Sequence, residues 1–293
     1  MMKRVYTWRP DVPDSRDLCL KVSRFRKLPS KVDLRDKCSS VEDQGSIGSC
    51  SAQAFVAVME YLDRKDDDQW TDLSRLFVYY NSRTDPNDDS GAYLRDGTKA
   101  LAKFGACDET IWPYDPARYT VKPPDLAYKD GLKRRITEYR RTESLDGVQQ
   151  SLADGFPVVF GFSVYESFET EEVAKTGIVP MPAENEQMLG GHAVVAVGYD
   201  DFTACLIVRN SWGPDWGDKG YFYMPYEYVS KELADDFWVI TRVPLPKIGE
   251  EPWQPDYSDV KWYLPITTII KAIGTIWEKI FGSKPHNRKG DVK

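Results

Sequence analysis

One short stretch, Gln44 to Glu60, limits more than any other what this chain can fold into. A turn rich in glycine and serine (Gly45, Ser46, Gly48, Ser49) runs straight into an apolar segment, and Cys50 sits at the junction. Beyond it Ala54, Phe55, Val58, Met59 and Leu62 recur at steps of three and four, the spacing of a helix with one buried face. Ser49 is placed as its N-cap, which puts Cys50 in the first turn. The free N–H groups and the positive end of the helix dipole there favour a thiolate. Gln44, on the loop entering the helix, is positioned to aim its carboxamide back at the sulfur. The same residues also suit a buried structural cysteine at a helix start, so this stretch alone leaves both readings open.

Taken in order, residues 1–34 are rich in charge and proline, show no periodicity, and read as an extended arm. The globular part begins near Val32. The helix after Cys50 is expected to end near Asp66–Asp68, a second to span Leu73 to Tyr80, and a third to run from Asp96 to Phe104, where Gly105 stops it. The second half changes character. Arg135 to Arg141 alternates, and Pro157–Phe162, Gly191–Gly198, Thr203–Asn210, Tyr221–Met224 and Phe237–Ile240 are short apolar runs of strand type. The architecture expected is α+β in two lobes, a helical N-terminal lobe and an antiparallel β-rich C-terminal lobe.

The hairpin 191–210 carries the second chemical signal. If its turn is centred on Asp201, His192 falls opposite Asn210. A carboxamide can then accept from one ring nitrogen and leave the other free to exchange a proton with a thiol. A register slip of one residue would undo the pairing.

Composition excludes other classes. The net charge of −7 and the lack of a basic stripe interleaved with aromatics argue against nucleic acid. Residues 1–34 carry nine basic and four acidic residues, net +5, and residues 261–293 carry seven and two, also +5; residues 35–260 therefore hold −17. Five scattered cysteines, no CxxC pair and only two histidines point to neither a disulfide scaffold nor a zinc site, and no cofactor is expected. The N-terminus has no apolar h-region, so the expectation is a cytoplasmic setting or export by a non-classical route.

Gln44, Cys50, His192 and Asn210 together resemble the papain family of cysteine proteases. His192 follows Cys50 by 142 residues and Asn210 by 160, in the family's order. Gly190-Gly191-His192-Ala193 and the run Asn210-Ser211-Trp212-Gly213 to Tyr221 are similar to its histidine and asparagine motifs, over about Val32 to Val243. The resemblance implies a Cys50 thiolate and His192 imidazolium pair, with Asn210 holding the ring and Trp212 covering that bond. It places the oxyanion between the Gln44 side chain and the Cys50 N–H. It also implies a substrate-binding set of Gly48, Ser49, Ser90, Gly91, Ala92, Gly191 and Trp212; Asp235 or Asp236 at the base of the S2 pocket would favour a basic substrate residue and otherwise an apolar one is expected, surface carboxylates being the default reading of both. Ile47 and Ser51 depart from the family's usual cysteine and tryptophan. The histidine motif is nearest that of cathepsin B, but no histidine pair occurs between Cys107 and Thr142, so endopeptidase rather than dipeptide-trimming activity is expected.

The domain division expected is 1–31 as an extension that lies across the cleft as an inhibitory pro-segment, 32–245 as the peptidase, and 246–293 as a C-terminal extension. In the last, Ile266, Ile269, Ile270, Ile273, Ile276, Trp277, Ile280 and Phe281 mark an amphipathic helix over about 265–282. Its candidate docking partners are the enzyme body, another protein or a membrane surface. Partners otherwise are peptide or protein substrates. Transfer of the acyl group to an amine and a catalytically silent binding module are the rival functions.

Overall fold

The structure, a computed structural model, describes residues 4–22, 27–67 and 71–242. The chain divides into two units, Met1–Val243 and Pro244–Lys293; the expected C-terminal helix lies in the second, outside the described residues. The first unit opens with the arm, then β1 (Lys31–Asp33), and three helices, α1 (Cys50–Asp67), α2 (Arg75–Ser82) and α3 (Leu94–Phe104). There follow α4 (Asp125–Gly131), β2 (Glu138–Thr142), α5 (Leu145–Ala153), β3 (Val158–Tyr165) and α6 (Glu171–Thr176). The remainder is β4 (Met188–Asp200), β5 (Cys205–Arg209), β6 (Tyr221–Pro225), α7 (Glu227–Ser230) and β7 (Ala234–Thr241). The fold is thus the expected α+β.

Local chemistry sets the helix ends. Ser74 caps α2 by accepting the Phe77 N–H (3.1 Å), and Gly105 ends α3 at φ 69°, where a side chain would be strained. At the start of α1, the Ser49 carbonyl accepts the Gln53 N–H (3.0 Å) as an N-cap should. Its hydroxyl is drawn away to Tyr114 (2.6 Å).

The strands form one antiparallel sheet in the order β2-β7-β3-β4-β5-β6, with β1 beside β4. It is buried on both faces, which is why β3 and β4 read as continuous apolar runs. Val159, Ala193, Val195 and Val197 pack against α1, α2 and α3. Val158, Phe160, Phe162, Val194 and Ala196 face a second core with Phe222, Tyr228 and Phe237. The first core is the helical lobe, and the second is the β lobe.

The expected hairpin register is corrected. Tyr199 pairs Leu206 and Val195 pairs Arg209, so the turn lies beyond Asp201 and the β5-side register carries Asn210 towards Val194 and not His192, while on its other edge β4 pairs His192 with Phe162 of β3. The turn is longer than assumed and passes through Ala204 at φ 52°. The turn alone displaces the register by three residues, and a bulge between Ala196 and Gly198 then takes one of them back. The total displacement at the His192 end is two residues. An even slip leaves side-chain faces unchanged, so the two side chains still meet.

The arm is extended, as expected, and it is packed. At the end of β2 the Leu20 N–H donates to the Arg141 carbonyl and the Arg141 N–H donates to the Leu18 carbonyl (2.7 Å each), and Trp8 and Asp11 are buried.

Candidate active site

Cys50, the first residue of α1, is 1% exposed, and its sulfur lies in reach of the backbone N–H of Ala193. Ala193 follows His192 on β4, so α1 packing onto the sheet brings the sulfur to the neighbour of the imidazole. His192 is 0% exposed, and its Nε2 lies 2.8 Å from Asn210 Oδ1. Asn210 Oδ1 also accepts the Ser211 N–H (2.9 Å), which fixes it as the oxygen. An oxygen only accepts, so Nε2 carries the proton and Nδ1 is the bare base of the neutral ring. Nδ1 has no hydrogen-bond partner among the described residues. Trp212 stacks on the imidazole (centroids 5.0 Å, 24°) and Phe162 meets it edge-on at 5.9 Å, which shields the His192–Asn210 bond from water.

Gln44 is tied to the asparagine segment. Its backbone N–H donates to the Ser211 carbonyl (2.9 Å) and its Oε1 accepts from Ser211 Oγ (2.7 Å). One amide proton is given to the Ile47 carbonyl (3.1 Å). Ser211, not foreseen from the sequence, orients this amide. Ile47 fills the apolar core where the family carries a cysteine, and all five cysteines are unpaired.

The arm runs past several of the positions expected to bind substrate. Thr7 donates its hydroxyl to the Gly48 carbonyl (3.1 Å) and lies in reach of the Cys50 sulfur. The Trp8 N–H donates to the Gly191 carbonyl (2.9 Å). A Cβ added at Gly91 would fall 2.4 Å from Thr7, one at Gly190 2.6 Å from Tyr6, and one at Gly161 1.9 Å from the Trp8 ring. Tyr6 stands edge-on to His192 at 6.2 Å, and the Arg4 guanidinium covers Trp212 at 4.5 Å. Thus Gly48, Gly91, Gly191 and Trp212 of the expected set meet the arm. Ser49 pairs with Tyr114, Ser90 is exposed and Ala92 half-buried. Sequence reasoning missed Tyr6, Thr7, Trp8 and Gly161; the one local signal was an aromatic pair in an otherwise charged arm.

Electrostatics under the arm hold the pair neutral. Burial pushes the Cys50 thiol up, while burial, with Arg4 nearby, lowers His192 to about 4 against the opposing bond to Asn210. Asp236 is not an open pocket floor. It is 0% exposed, adopts φ 57°, lies 2.8 Å from Arg141 and accepts the Asp11 N–H (2.7 Å).

Fold and site together are those of a cysteine peptidase, a thiol-dependent hydrolase with its chemistry at the seam between helices and sheet. The chain belongs to the papain family of cysteine proteases, whose sequence profile matches residues 28–236. It is 44% identical to the solved structure of xylellain, a cysteine protease from Xylella fastidiosa (TM-score 0.75, covering 81% of this chain and 96% of that one). It is 45% identical over 221 residues to an uncharacterized peptidase C1-like protein of Acanthamoeba polyphaga mimivirus, over 71% of each chain. A cathepsin B-like protein, CP3, of Giardia intestinalis is 32% identical over 217 residues (67% of this chain, 69% of that one).

Proposed function

We propose that the chain is a cysteine endopeptidase made as a zymogen, with its N-terminal arm as inhibitor and residues 32–245 as catalytic domain. The observation that carries the catalytic reading is the His192–Asn210 bond, which leaves Nδ1 bare on the strand whose next N–H lies in reach of the Cys50 sulfur. In the open enzyme Nδ1 takes the thiol proton, and the N-terminal end of α1 supports the thiolate. The thiolate attacks a peptide carbonyl. His192 returns the proton to the leaving amine, and water, deprotonated by the same ring, hydrolyses the thioester. The Cys50 backbone N–H and the remaining Gln44 amide proton are the oxyanion donors, each typically worth about 3 kcal/mol in such a site. Gly48, Gly91 and Gly191 supply the open backbone against which an extended peptide lies.

The inhibitory reading rests on where Thr7 and Trp8 lie. They take the space in front of the sulfur and the backbone acceptor at Gly191, and by excluding water they disfavour the ion pair. Turnover of an internally quenched peptide by the full chain, by a chain beginning at Ser30, and by Cys50→Ala in each tests both parts. The expected order is a slow full chain, a fast shortened one, and no turnover without Cys50. Equal rates for the first two would remove the inhibitory role, and turnover without the thiol would remove the peptidase mechanism.

A further inference from the structure

Past the plugged nucleophile the arm buries a second group. Asp11 is 4% exposed, and its carboxylate accepts the Arg95 backbone N–H (3.2 and 3.1 Å to its two oxygens) and Trp238 Nε1–H (3.0 Å). Its own N–H donates to Asp236 Oδ2 (2.7 Å). Arg95, in the first turn of α3, donates Nε and Nη2 to Asp17 of the arm (2.9 and 2.7 Å), and its guanidinium lies over the Trp238 ring. Arg141 completes the group, 2.8 Å from Asp236, 3.1 Å from Asp235 and 3.9 Å from Asp17.

The division of roles is one-sided. The arm supplies both carboxylates that sit on Arg95, and the body supplies the donors. Asp235 and Asp236 keep Arg141 when the arm lifts, whereas Arg95 loses Asp17, and its backbone N–H and the Trp238 indole lose Asp11. Donors left in a partly desolvated recess with no acceptor are costly, and a charged acceptor satisfies them best. The recess also reads backbone, since Asp236 takes the N–H of Asp11, whose carboxylate the Arg95 N–H and the Trp238 indole bind. Asp236 is therefore committed to Arg141 and to a peptide N–H, and does not favour a basic side chain.

We infer that this recess is an acidic-residue subsite of the open enzyme, with Asp11 (on the Arg95 backbone N–H and the Trp238 indole) and Asp17 (on the Arg95 guanidinium) as its tethered stand-ins, and with the freed Arg95 guanidinium as the group that selects a peptide Asp or Glu. This rests on the reading that the arm leaves the cleft.

The test uses the full chain with Trp8→Ala to open the arm. Internally quenched peptides carry Asp or Asn, scanned one position at a time along the sequence. At one position kcat/KM for Asp should exceed that for Asn about tenfold, mainly through KM. Adding Arg95→Met should bring that ratio to about one, Arg95→Lys should retain part of it, and Trp238→Phe, which removes one donor, should lower it. Ratios within twofold at every position, or a preference untouched by Arg95→Met, would overturn the subsite while leaving the arm reading intact. If Trp8→Ala cleaves none of the peptides and its Cys50 reacts no faster than the parent's, the arm reading fails and the subsite with it.

Discussion

Trp8→Ala in the full chain is the perturbation that most sharply probes how the cleft is closed. The indole is buried against Gly161 and Gly191, in space that any side chain at those positions would take. A buried tryptophan covers about 150–250 Å², which at about 25 cal/mol per Å² corresponds to about 4–6 kcal/mol. Part of this is recovered, because alanine keeps its Cβ and water can enter an opened cleft. A loss of about 3 kcal/mol, the lower end for such truncations, is therefore the working figure. It shifts the closed-to-open ratio roughly 150-fold. The assay is the pseudo-first-order alkylation of Cys50 by iodoacetamide, followed by peptide mapping. Where opening is a rare local event, the labelling rate follows the open fraction. The rate should rise on the order of 100-fold, with the far-ultraviolet circular dichroism unchanged. A rate within about threefold of the parent would refute the claim that Trp8 holds the arm down.

Three further outcomes follow from the same geometry. Burial, and then the Asp11 charge, push Asp236 up to about 7 beneath the arm. The closed form thus keeps a proton that the open form releases, so closure strengthens as pH falls through about 7 and weakens as it rises. Cys50 alkylation normalised to that of Trp8→Ala should climb from pH 6 to 8, and Asp236→Asn should flatten the climb; an unchanged slope would contradict it. Asn210→Ala, made with Trp8→Ala, should lower kcat by about 10²-fold, because a mis-set imidazole loses its aim; rates at the level of Trp8→Ala alone would deny Asn210 that role. Arg75→Met strips Glu60, buried on α1, of its partner at 3.0 Å. It should cost about 3–5 kcal/mol in urea unfolding, measured as a fall in midpoint.

The sequence displayed some features because their causes are local. Cys50 at the start of α1 follows from a serine and glycine turn meeting a three-and-four repeat, and Gly105 and Ser74 mark helix ends through their own backbone and hydroxyl chemistry. Gln44, Cys50, His192 and Asn210 were nameable from the order and spacing of four motifs. The hairpin register was not, because a longer turn and a bulge both act on it and neither has a sequence mark strong enough to count residues by. That His192 still reaches Asn210 reflects an even total slip. The course of the arm was least legible. Thr7 and Trp8 fit because glycines at 48, 91, 161 and 191, from separate segments, leave the space, and only folding brings these together. The burial of Asp236, by default a surface carboxylate, was hidden for a related reason: its partners Asp11 and Arg141 lie far away in the chain.

The central claim is that one sulfur, activated by His192, does the chemistry. Its most direct measurement is covalent labelling of Trp8→Ala by an epoxide inhibitor of thiol proteases, with every cysteine-containing peptide mapped by mass spectrometry. The account predicts an adduct on Cys50 that accumulates in step with loss of turnover and slows by orders of magnitude in His192→Ala, with Cys19, Cys38, Cys107 and Cys205 unmodified. An adduct at one of those four instead, or labelling of Cys50 at the same rate without His192, would contradict it.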